Sequence, residues 1–140
     1  MFLKMSTTLV TALFDINRDK YNNQKLALKT IDDYLPWFKK TLQLNCSMVI
    51  YIEKKLEKFV LENRPNDYQT KIIIQSKEEI PYYKYKNRIQ EIINSNEYKN
   101  KIKDPNRIEC NLPEYTIIQY SKFKWLKEVS ELNPFNKDNF

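Results

Sequence analysis

The sequence predicts an α/β protein: a short parallel sheet in the order β-α-β-α-β followed by helices, in an incomplete three-layer α/β/α arrangement. Three observations carry this prediction. Residues 7–16, 46–52 and 70–75 are short apolar or β-branched runs, the pattern of strands covered on both faces. The stretches between them repeat apolar residues at three- and four-residue spacing, as amphipathic helices do. Alternating strands and helices imply parallel strands joined by right-handed crossovers.

In chain order, TTLVTALFDI over residues 7–16 is the first strand, closed by a polar run over 17–23. A helix is expected over 23–44, with Ile31, Tyr34, Leu35, Phe38 and Leu42 on its apolar face. Pro36 falls inside that pattern, so the helix restarts there or kinks. CSMVIYI over 46–52 is the second strand. Residues 54–63 form a helix with Leu56, Phe59 and Val60 inward, and Pro65 stops it. TKIIIQ over 70–75 is the third strand.

From about residue 80 to 133 the chain reads as helical. Ile80-Pro81-Tyr82-Tyr83 is a turn, and residues 84–94 are a helix with Ile89, Ile92 and Ile93 inward. Residues 96–103 add a further turn or two before the Asp104-Pro105-Asn106 loop. Pro113 suits the first turn of a long helix over 113–132, with Ile117, Ile118, Trp125, Val129 and Leu132 as its buried stripe. The whole chain, 1–140, reads as one unit, and three strands leave a sheet edge unmatched. Doubly wound sheets usually have about five or six strands, so the chain reads as the first half of such a domain.

Composition removes several chemistries. Of 140 residues none is glycine and none is histidine. Glycine-dependent phosphate loops and dinucleotide turns are therefore impossible, as are imidazole-based triads and H-E-x-x-H zinc sites. Lys+Arg 24 against Asp+Glu 18 gives a net charge of +6, spread along the chain without a block of like charges. A solvated, lysine-rich surface explains that pattern better than a nucleic-acid face. Cys46 and Cys110 lack C-x-x-C spacing and read as two reduced, half-buried thiols. The apolar run 9–14 is too short and too polar in its flanks for a signal peptide, and no run reaches the ~20 residues of a membrane span. The expectation is a soluble, cytoplasmic protein with no membrane partner.

In an open parallel sheet, ligands bind beyond the carboxyl ends of the strands. The residues there are Asp15, Asn17, Arg18 and Asp19, then Glu53 and Lys54, then Ser76 and Lys77. Arg18 can grip a phosphate in fork geometry and Asp15 can accept from a ribose or base, although by position alone a surface ion pair explains them more simply. Lys122 lies near the apolar stripe of the last helix, where it can reach an anion or simply snorkel. The run Tyr82-Tyr83-Lys84-Tyr85-Lys86 interleaves aromatics and cations, as a stacking surface does, but packing under a loop explains it more simply. Asp32-Asp33 serves a helix start better than a metal, and no D-x-D motif occurs.

Four segments together resemble the HtrL/YibB family: TLVTALFDINRD at 8–19, DDYLPWFKKTLQL at 32–44, SMVIYIEKK at 47–55 and RIECNLPEYTIIQYSKFKWLKEV at 107–129. The similarity runs from about residue 7 to 135. Those proteins look like glycosyltransferases of the GT-A type, so the resemblance implies a GT-A- or Rossmann-like fold and a nucleotide-diphosphate-sugar donor. It places Thr11, Phe14, Asp15 and Arg18 against the nucleotide, with Ser121 and Lys122 approaching from the last helix. Asn17 stands where the family commonly has glycine, a mild departure because asparagine tolerates left-handed backbone.

A larger departure is that the family's Asp-Ala-Gly segment, counterpart of a metal-binding carboxylate motif, has no equivalent in this sequence. The resemblance therefore implies the nucleotide-sugar-binding half of a transferase, truncated and inactive alone. Mg²⁺ or Mn²⁺ is expected in a complete relative and no cofactor in this chain. A complementing chain or a second copy is the implied partner. A nonenzymatic basic interaction module and a nonfunctional gene remnant are the competing readings.

Overall fold

The computed structural model describes residues 6–20 and 29–140. Strands β1 (Thr8–Leu13), β2 (Ser47–Ile52) and β3 (Thr70–Ile74) form one parallel sheet in the order β1-β2-β3. Thr11 pairs with Ile50 and Ile50 with Ile72, so β2 is central. Helices α1 (Leu35–Leu42) and α2 (Glu57–Asn63) connect the strands. After β3 come α3 (Lys86–Asn94), α4 (Asn96–Lys101) and the long α5 (Pro113–Leu132). The α/β class and the parallel β-α-β-α-β order expected from sequence are what the structure shows.

Side-chain alternation along the strands sorts the core into two layers. Met48, Ile50 and Ile52 point to one face and meet Phe38 and Leu42 of α1, Val60 of α2, and Leu56 just before it. Val49 and Tyr51 point to the other face and meet Ile117, Trp125 and Val129 of α5. Every residue of β2 is buried, which is why that strand reads as an unbroken apolar run rather than an alternating one. Edge strands β1 and β3 are only partly buried.

Trp125 is the pillar of the α5 layer. Its ring stacks on Tyr51 at 5.0 Å and on Phe14 at 5.6 Å between centroids. Its indole N–H donates to Gln75 Oε1 at 3.1 Å, so a large apolar ring is buried without orphaning its one polar atom. Tyr51 donates to Glu128 Oε2 at 3.3 Å, and burial together with the Glu128 charge pushes its hydroxyl up to about 12.

At the opposite, amino end of the sheet, Arg64 is 6% exposed. Its Nη1 donates to the Leu42 carbonyl at 2.8 Å and the Leu44 carbonyl at 2.7 Å. Nη2 donates to the Cys46 carbonyl, and Nε to Thr70 Oγ1 at 2.9 Å. The guanidinium lies 5.0 Å from the Tyr68 ring centroid. One side chain thus satisfies carbonyls left over at the end of α1 and joins them to the entrances of β2 and β3.

Several element boundaries differ from the sequence expectation. The helix expected over 23–44 is α1, Leu35–Leu42, preceded by a 3₁₀ turn at Ile31–Asp33; residues 23–28 lie outside the described residues. Pro36 in its first turn lacks an N–H, so a helix restarts there instead of running through. Asp33 caps the 3₁₀ turn, its Oδ2 accepting the Thr30 N–H at 2.7 Å, which is the dipole-serving use expected of the acidic pair. Leu132 and Ile92, expected inward, are 57% and 43% exposed. The stripe of α5 advances by four from Ile117 through Ser121 and Trp125 to Val129, so its next member is Asn133 and not Leu132. On α3 the same spacing joins Ile89 to Ile93 and turns Ile92 aside.

Among the described residues three have positive φ, and all are asparagine: Asn17 at 54°, Asn133 at 40° and Asn136 at 50°. In a chain without glycine, asparagine takes the left-handed positions, as its short polar side chain permits. Asn133 ends α5 this way and clasps Lys137, accepting from its N–H at 2.9 Å and donating to its carbonyl at 3.0 Å. Cys46 and Cys110 are both free and half-buried, as the sequence implies.

Two stability predictions follow from this packing. Arg64→Met strands several buried carbonyls at once, so it should cost about 3 kcal/mol in urea unfolding; a loss below about 1 kcal/mol sinks the keystone role of Arg64. The raised Tyr51 hydroxyl contributes stability that is complete below its unfolded value near 10 and disappears as pH climbs toward about 12. Tyr51→Phe should therefore melt with less pH dependence than the parent protein between those limits, and parallel curves disprove the assignment.

Candidate functional site

The exit of β1 is shaped by one charged cluster. The Asp15 N–H donates to Glu53 Oε2 at 2.7 Å, tying it to the exit of β2. Asp15 Oδ1 accepts the Asn17 N–H at 2.9 Å, a turn that needs the left-handed backbone of Asn17. Asp15 Oδ2 accepts from Lys55 Nζ at 2.6 Å. Partial burial opposes ionisation of Asp15, but the Lys55 and Asn17 hydrogen bonds and the charges of Lys55 and Lys77 outweigh it. The carboxyl is held below the usual range. Hydrogen bonding to Asp15 in turn raises Lys55.

This loop forms one wall of a cleft of about 260 Å³ at the carboxyl end of β1. Phe14, Asp15 and Arg18 come from the strand exit, while Lys29 and Tyr34 come from the segment before α1. Tyr115, Gln119 and Lys122 come from α5. The cleft thus opens between the two helical layers, beside the edge strand, where an open parallel sheet places its ligands. Arg18 Nη1 donates to the Tyr34 hydroxyl at 2.7 Å, and Lys122 Nζ to Gln119 Oε1 at 2.9 Å. Lys29 lies 5.9 Å from the Tyr34 ring centroid. Among the described residues three cations therefore face the cavity, and the one carboxylate of that lining, Asp15, is already matched by Lys55. The field inside favours an anion.

Of the residues singled out in the sequence, Phe14, Asp15, Arg18 and Lys122 line this cleft together. Thr11 borders an adjoining groove along β1, which Lys122 also reaches. Ser121 is placed differently from the expectation. It is fully buried, and its Oγ has no hydrogen-bond partner among the described residues. Neighbouring helical residues point about 100° apart, so Ser121 faces the sheet while Lys122 faces the cleft. Tyr34, Lys29 and Gln119 had no motif to mark them, although Tyr34 lies in the apolar repeat of its segment.

Ser76, Lys54 and the Tyr-Lys run have structural partners. Ser76 starts a 3₁₀ turn capped by Glu79, and Lys54 pairs with Glu57. In the Tyr-Lys run, Tyr82 and Tyr83 pack on the core and Lys86 pairs with Glu114 of α5 at 2.6 Å. Packing, not stacking on a ligand, is the use the structure shows for them.

The donor set does not fit the divalent cation that a complete glycosyltransferase relative is expected to use. Among the described residues Asp15 is the only carboxylate of the lining, with one oxygen on the Asn17 N–H and the other on an ammonium. Among the described residues there is no group of three or more His, Cys, Asp or Glu side chains placed to hold a metal. No helix among them is long and apolar enough to cross a membrane.

No solved structure matches the chain. Protein HtrL of Escherichia coli (strain K12) is 29% identical over 124 residues, covering 83% of this chain and 42% of that protein. The chain thus spans less than half the length of this curated relative. The profile of a family described as "Bacterial protein of unknown function (HtrL_YibB)" matches residues 5–140, nearly the whole sequence, and the chain belongs to that HtrL/YibB family.

Proposed function

We propose that the cleft binds a nucleoside diphosphate sugar and that the chain is the donor-binding part of a GT-A-like glycosyltransferase. The observation that carries this is the convergence of Arg18, Lys29 and Lys122 from three separate segments on one cavity at the carboxyl end of an edge strand. A diphosphate fits that field, with Arg18 offering a planar fork and the lysines point charges. Tyr34 and Tyr115 supply aromatic surface for a base or sugar ring. Asp15 uses one lone pair on each oxygen for protein contacts and keeps others for a ribose hydroxyl. The chain's part in this scheme is to hold and orient the donor.

The remaining positive charge supports the same reading by its arrangement. Along the exposed helices, cations pair locally with acids three or four residues away: Lys58 with Glu62, Arg88 with Glu91, Lys101 with Glu97 and Lys127 with Glu131. Such pairs neutralise the surface instead of building a continuous stripe for a nucleic-acid backbone.

Calorimetric titration with uridine and adenosine diphosphates and their glucose conjugates tests the proposal. Arg18→Gln and Lys122→Gln should each weaken binding about tenfold, which corresponds to about 1.4 kcal/mol. Absence of binding at millimolar ligand, or affinities indifferent to both substitutions, overturns it.

Ser121→Ala separates site from core. Because it removes a buried hydroxyl without a partner, affinity should be unchanged and the protein equally stable or about 1 kcal/mol more stable. Weaker nucleotide binding in a fully folded Ser121→Ala protein would return Ser121 to the site.

A further inference from the structure

The cations of the cleft meet there without acids of their own. Arg18 comes from the turn after β1, Lys29 from the segment before α1 and Lys122 from α5. Among the described residues none of them forms an ion pair. Their partners are neutral. Arg18 donates to the Tyr34 hydroxyl at 2.7 Å, Lys29 lies 5.9 Å from the centroid of the same ring, and Lys122 donates to the Gln119 amide oxygen at 2.9 Å. Cations just outside the cleft are matched instead: Lys55 sits 2.6 Å from Asp15, and Lys86 2.6 Å from Glu114. Like charges gathered without counter-charges leave the cavity short of negative charge.

The same lining is a poor place for a divalent cation, which takes oxygen ligands and chiefly carboxylates. Both oxygens of Asp15 already accept hydrogen bonds. Asp19, Asp32 and Asp33 are near in sequence but are not part of the lining, and Asp33 caps the Thr30 turn. The segments outside the described residues, 1–5 (MFLKM) and 21–28 (YNNQKLAL), contain no Asp, Glu, His or Cys. No acid from them is there to join the cleft.

We propose that this chain's cleft selects a metal-free nucleoside diphosphate over its divalent-metal complex. Arg18, Lys29 and Lys122 supply the neutralisation that a cation on the diphosphate otherwise supplies. The inference rests on the cleft being a diphosphate site. A divalent ion riding on the ligand cancels most of its negative charge, and with it most of the attraction to the three side chains. It also brings positive charge toward them, with no unengaged carboxylate to receive it.

The test is calorimetric titration of the 140-residue chain with uridine and adenosine diphosphates. One series is run in metal-free buffer and another in excess Mg²⁺, at matched ionic strength so that screening is equal. Binding should be at least about tenfold weaker with Mg²⁺. Gln119→Glu sets a carboxylate where an amide oxygen now meets Lys122. It should weaken metal-free binding about tenfold and remove most of the difference made by Mg²⁺. Affinity equal or higher with Mg²⁺ overturns the selection while leaving the diphosphate site standing. Absence of binding in both series overturns the site itself and the selection with it. If Gln119→Glu melts as the parent does and keeps the full preference for metal-free ligand, the cations are not its source and the proposal falls.

Discussion

The strand order β1-β2-β3 is the constraint from which the rest of this structure follows. When sequential parallel strands add in one direction, their connecting helices fall on one face, here α1 and α2. The other face of β2, carrying Val49 and Tyr51, then has no local cover and must be sealed by a distant element. Helix α5 does so through Trp125, stacked on Tyr51 and Phe14 at once. Because the two helical layers come from different parts of the chain, they meet only past the end of β1, and the gap between them is the cleft.

Absence of glycine has a visible consequence in that cleft. The turn after β1 needs a left-handed residue, and Asn17 provides it while its own N–H holds Asp15. Asp15, Glu53 and Lys55 then lock the exits of two adjacent strands together electrostatically. With Asp15 satisfied, the cavity presents Arg18, Lys29 and Lys122 with no competing carboxylate among its described lining residues.

Much of this was legible from local pattern. The unbroken apolar run at 46–52 announces a doubly covered strand, because a strand with both faces buried has no need of polar residues. Pro36 and Pro113 mark first helical turns, since proline cannot donate the bond an interior position requires. Asp15 and Arg18 were found by a rule of topology and Phe14 through the family resemblance, and the three meet at the end of β1. Ser121 was misplaced because it adjoins Lys122 in sequence, whereas a helix turns adjacent side chains to different surroundings. Tyr34 and Lys29 went unmarked because only the path of the segment before α1 brings them opposite α5.

By itself the sequence determined the elements, their order and the chemistry that is impossible here, since periodicity, proline positions and missing residue types act locally or through composition. The tertiary structure alone decided which charges share a cavity, that Arg64 closes the amino end of the sheet through main-chain carbonyls, and that the segment after α5 returns to the edge of β1. Those outcomes join residues such as Asp15 with Lys55, and Thr7 with Asn139, that are far apart along the chain. Long-range pairing depends on how the layers close over β2, a property of the packed whole that no window of sequence contains.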